Sequence, residues 1–187
     1  AAVIGSEFNV HVLAMVLGHV HVNETLRSGE EHGLWGRSSE DFYRFEQELV
    51  REAIETMQFE GRLREIHGHI VDVLQQLYRD DQAHYADLAY HAERAGRSEQ
   101  AREFLWNASR YAKENFKNDK AVEFLRRYIT YAERVEDRTE AYREMASIHE
   151  VTGNWNGAID SLTYALGLTV ISQQMEVRAQ LLSTLGQ

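Results

Sequence analysis

Nine histidines and thirty carboxylates are the side chains with which this 187-residue chain could do chemistry. The histidines group as His19 with His21, His67 with His69, and His84 with His91. On a helix, side chains two apart point in different directions, whereas metal-ligating pairs stand three or four apart. Only His84 and His91, seven apart, share a helical face; no Cys accompanies them, and the nearby Asp87 and Glu93 are typical of solvated faces. No metal site and no cofactor are therefore expected in this chain. The adjacent acids Glu30 and Glu31, Glu40 and Asp41, and Asp80 and Asp81 read as solvated turn residues rather than as an acid–base pair. There is no Gly-x-Ser-x-Gly elbow, no recognisable Ser, His and Asp set, and no Gly-x4-Gly-Lys-Ser/Thr phosphate loop. No catalytic residue is expected.

The composition narrows the remaining classes. With 43% hydrophobic residues the chain can bury a core, so one or two small domains are expected. The absence of Cys excludes disulfides and thiolate zinc sites and is compatible with a reducing compartment. No apolar run approaches a membrane span, and Ala1 to Leu17 is broken by Glu7, Asn9 and His11, so a cytoplasmic protein without a membrane partner is expected. A net charge of -10 repels phosphate backbones, which disfavours nucleic acid as a partner. The chain begins at Ala1 without Met and closes on Leu185, Gly186 and Gln187 as a helix would if interrupted. It is therefore expected to be a fragment of something longer.

These residues need elements to position them. Phe8, Val10, Val12, Leu13, Val16 and Leu17 fall on one face of a short helix that Asn9 can cap and Gly18 can stop. A second helix is predicted over Val22–Glu31, then two short strands at Gly33–Gly36 and Phe42–Phe45 joined by a polar turn, then a helix from Glu46 to Met57. Two helices, a hairpin and a helix over residues 1–57 resemble a degenerate winged helix. Those residues hold 4 basic and 10 acidic side chains and no Lys. The wing, Arg37 to Arg44, offers two Arg beside Glu40 and Asp41, so interdomain packing is the expected role rather than DNA binding.

Residues 58–187 carry helical periodicity. Leu63, Ile66, Ile70, Val73, Leu74 and Leu77 form one stripe over Phe59–Leu77. Beyond the break at Arg79 to Asp81, a repeated pattern sets in. Tyr85, Leu88 and Ala89 precede Gly96, and Ala101, Leu105 and Ala108 follow; Tyr142, Met145 and Ala146 precede Gly153, and Ala158, Leu162 and Ala165 follow. This is the spacing of tetratricopeptide helical hairpins, in which small residues let paired helices approach and large ones fill the gap to the next pair. Between them Ala121, Leu125 and Tyr128 repeat the second-helix half alone, so the array is irregular, and Leu182 with Leu185 looks like the first helix of a further repeat. Trp106 and Trp155 are expected in core or hairpin-turn packing.

Three stretches carry a family resemblance: Ala1–Phe8 (AAVIGSEF), Tyr43–Ile54 (YRFEQELVREAI) and Leu88–Gly96 (LAYHAERAG). Together they resemble the region downstream of the nucleotide-binding core in bacterial AAA/STAND-type signalling ATPases, which often carry adenylate or guanylate cyclase, kinase or LuxR-type regulator domains. The family often has a histidine after the Arg-Phe strand, where this chain has Glu46 and Gln47. The resemblance implies a mainly all-α chain, a winged-helix-like head with a β-hairpin followed by an α-solenoid of tetratricopeptide-type hairpins cut short at its C-terminus. It implies a non-catalytic regulatory and protein-interaction fragment whose ATPase domain lies upstream. The alternative is the effector-sensing arm of a LuxR-type transcriptional regulator; an autonomous enzyme or metal protein is the third reading. Carrying the repeat frame over, Tyr90 and Arg94, with Arg143 and Ser147, face a groove that takes a protein or peptide partner.

Overall fold

The structure is a computed structural model and describes residues 1–18, 22–79, 81–172 and 175–185. It is mainly helical, with ten helices among the described residues and one small antiparallel sheet of three strands. The chain divides into two compact units, Ala1–Asp81 with Tyr90–Arg97, and Gln82–Ala89 with Ser98–Gln187.

The first unit opens with strand β1 (Glu7–Asn9) and helix α1 (Val10–Val16). Asn9 ends one and starts the other: its backbone is extended, and its side-chain oxygen accepts the amides of His11 at 2.8 Å and Val12 at 3.4 Å. Phe8 therefore belongs to the strand, not to the helical face on which its spacing had placed it. Helix α2 (Val22–Glu31) lies where the periodicity puts it. Strands β2 (Trp35–Arg37) and β3 (Phe42–Phe45) form the expected hairpin, and β1 adds to the far edge of β3, pairing Phe8 with Tyr43. Glu7, Phe8 and Asn9 are too few to show the alternation that marks a strand in sequence.

Four aromatic rings fill this core. Phe8 meets Trp35 edge-on at 5.6 Å, stacks on Tyr43 at 6.0 Å and tilts against Phe45 at 5.8 Å. The Trp35 indole N–H donates to the Leu26 carbonyl at 3.0 Å, so the ring is buried without an unpaired donor. Gly29 in α2 lies flat against that indole; a side chain there would occupy the ring's own space. Helix α3 (Glu48–Thr56) starts two residues later than the sequence suggests, and α4 (Glu60–Leu77) packs on α1.

The second unit is built differently. Helix α5 (Tyr85–Ala95) is shared between the units, and α6 (Ser98–Glu114), α7 (Asn118–Tyr131), α8 (Val135–Val151), α9 (Trp155–Ser172) and α10 (Met175–Leu185) follow. Each of α6 to α9 packs on the next helix in sequence. Alanines stand at the contacts: Ala101, Ala121 and Ala165 are fully buried, with Leu105, Leu125 and Leu162 beside them in the sequence pattern.

Three helix-to-helix turns repeat one backbone geometry, which Gly33 (φ 66°, with the Leu34 amide on the Gly29 carbonyl at 2.9 Å) also adopts before β2. At Gly96, Phe116 and Gly153 the chain turns through positive φ (72°, 57° and 73°), and the next residue's amide reaches back to Ala92, Ala112 and His149 at 2.9, 2.8 and 2.8 Å. Of these three only the middle turn lacks glycine, so no residue type in the sequence marks it. In the described part of α10, Leu181 is buried and Leu185 packs against the same cluster, while Leu182 is half exposed, so of the two expected seam residues only Leu185 lies on it. Trp155 is 65% exposed at the start of α9 and belongs to no core. No described helix is long and apolar enough to cross a membrane.

Candidate functional site

Tyr90 and Arg94 stand one turn apart on α5, and the structure brings them together: the Arg94 guanidinium lies 5.4 Å over the Tyr90 ring. Arg94 also reaches Glu55 of α3 at 3.9 Å, and Glu55 is held by Arg51 at 2.7 Å. Tyr90 in turn sets its ring edge-on to His67 of α4, with centroids 5.9 Å apart. Behind these lies a pair that sequence spacing did not find. The Nδ1 atoms of His67 and His91 are 2.8 Å apart and both side chains are buried, so one ring donates a single proton to the other.

Burial first, and then the nearby Arg94 charge, pushes His67 down to about 4; burial and the neighbouring His67 push His91 down to about 3. Both rings are therefore neutral near neutral pH. Nε2 of His67 is the one buried side-chain nitrogen or oxygen among the described residues without a hydrogen-bond partner. Of the histidine groups in the sequence, His69 is exposed and His84 bonds Asp87 at 3.4 Å, while His19 with His21 lies outside the described residues. Among the described residues no group of three or more His, Asp or Glu side chains is placed to hold a metal ion.

Arg143 and Ser147, one turn apart on α8, also come together. They line a cleft of about 170 Å³ with Leu162 of α9 and Gln180, Leu181 and Thr184 of α10. Arg143 is tied to Glu140 at 3.6 Å and Ser147 is half buried. The four sequence-selected residues thus form two pairs, one in each unit.

The largest cavity among those described lies elsewhere in the second unit, about 690 Å³ between α6, α7 and the start of α8. Trp106 and Tyr128 line it, their rings 5.1 Å apart. Arg102 bridges to Asp137 at 3.2 Å along it. Burial, and then the charge of Asp137, pushes the Tyr128 phenol up, so it remains a neutral O–H. The sequence signal was available: Glu99, Glu103 and Trp106 follow the i, i+4, i+7 spacing of one helical face. No family model, curated protein or solved structure matches the chain.

Proposed function

We propose that this chain is a non-catalytic regulatory and protein-interaction region of a larger signalling ATPase, of the kind often joined to an adenylate or guanylate cyclase. In this reading residues 1–57 are a degenerate winged-helix-like head, and the helices beyond form tetratricopeptide-type hairpins. The observation that carries it is the coincidence of the repeat pattern with burial. Leu88, Ala89, Ala101, Leu105, Ala108, Met145, Ala146, Ala158, Leu162 and Ala165 are all buried, as the spacing requires if helices pair through small residues.

The head's charge supports packing over nucleic-acid binding. Arg37 donates to the carbonyls of Ser39 and Glu40, and Arg44 pairs with Glu7 at 3.0 Å, so both wing guanidiniums are engaged within the chain. The function then follows from differential contact: a partner that binds one state of the parent better shifts it toward that state. The purified chain is expected to release neither phosphate nor cyclic nucleotide from ATP in a continuous assay. Turnover that disappears on a single point substitution would overturn the reading.

A further inference from the structure

The groove between α6, α7 and α8 carries three features that bear on what it can bind. Glu99 and Glu103 are exposed one turn apart on α6 and have no cationic partner among the described residues. Like charges at this spacing repel, which weakens the helix slightly and leaves a place for a cation. Trp106 continues the same face and is half buried, its ring packed on Tyr128 on one side. Tyr128 is 8% exposed, lines the groove, and its hydroxyl has no hydrogen-bond partner among the described residues. Across the groove Asp137 and Glu140 add two more carboxylates, against Arg102 and Arg134. The balance is acidic, with an aromatic wall and, on Tyr128, an accessible O–H that has no acceptor among the described residues.

We propose that this groove is the docking site of a basic, extended peptide segment, which lays a Lys or Arg side chain over Trp106 with its charge between Glu99 and Glu103. A peptide fits where a bare cation does not: its stem covers the indole, its charge meets the two carboxylates, and a backbone carbonyl accepts from the Tyr128 hydroxyl. The proposal rests on the protein-interaction reading above and names the partner's chemistry.

The test is fluorescence anisotropy of the full chain with three labelled heptapeptides, alternating Gly with Lys, with Glu, or with Leu. The Lys peptide is expected to bind saturably and more weakly as salt rises. Glu99→Gln with Glu103→Gln is expected to weaken it about ten-fold while leaving the melting temperature unchanged or raised. Tyr128→Phe, which keeps the ring, is expected to weaken it about five-fold. As a control for the overall negative charge, Glu60→Gln with Glu65→Gln in the first unit should leave binding unaltered. Equal weakening by the two double variants, or no saturable binding of the Lys peptide, would overturn the proposal. Saturable binding of the Glu or Leu peptide alone would also overturn it, yet would leave the interaction reading standing.

Discussion

The first unit is held by large rings that meet across long stretches of chain; the second is held along interfaces between helices adjacent in sequence, where buried alanines alternate with Phe, Leu, Met and Ile side chains. Phe8, Trp35, Tyr43 and Phe45 interlock within about one small core, and each ring touches at least one other. Ala101, Ala121, Ala141 and Ala165 are all fully buried, but what they supply is absence of bulk, so two helices can lie close. The difference teaches where cooperativity resides. An aromatic core concentrates its stability in a few side chains, whereas a helical stack spreads it over successive interfaces.

The strongest break of that contrast is Phe8→Ala. Removing a buried ring that contacts three others is expected to cost about 3–5 kcal/mol, seen as early urea unfolding of the first unit, with amides of α8 and α9 retaining their hydrogen-exchange protection. Simultaneous loss of protection in both units would show that stability is not divided as the cores suggest.

Acid offers a second and smaller separation, because both buried imidazoles lie in the first unit. Unfolding exposes His67 and His91, which then take up protons as pH falls through the ordinary 6.5, while the folded rings stay neutral down to about 4 and about 3. The unfolded state binds more protons in that window, so stability falls as pH falls through it, and above 6.5 the pair contributes no pH dependence. Between pH 6.5 and 5 the expected loss is about 1.6 kcal/mol per histidine. Hydrogen exchange of α4 amides should show it and that of α9 amides should not; parallel slopes in the two helices would contradict the assignment.

The smallest effect has the opposite sign. Phe116 is 89% exposed and sits at φ 57°, where its two counterparts are Gly96 and Gly153. Phe116→Gly is expected to stabilise the second unit by about 0.5–1 kcal/mol, the relief of left-handed strain less the entropy that glycine costs. A thermal melt of the variant checks it, and a lowered midpoint would mean that the exposed ring is held by contacts unlike those of its glycine counterparts.

Much of the helical architecture was legible before any coordinates. The span of α2, the stops at Gly96 and Gly153, the Asn9 cap and the buried alanine positions all depend on residues within a turn or two of each other. The four chosen site residues were placed only as local pairs, because a helical frame fixes which face a residue occupies but not what stands opposite. Phe8 differs from its helical expectation for the same reason: its spacing fits a helix, and only its partner Tyr43, far along the chain, makes it a strand residue.

By itself, then, the sequence determined where helices begin and end, which faces are apolar, and that small residues line the contacts, since capping, periodicity and turn strain are all local. Tertiary structure alone decided that His67 meets His91, that Trp106 meets Tyr128 beside Glu99 and Glu103, and that β1 completes the sheet. Those meetings join residues many turns apart. Burial then changes their chemistry, keeping two histidines uncharged and raising the pKa of the Tyr128 phenol.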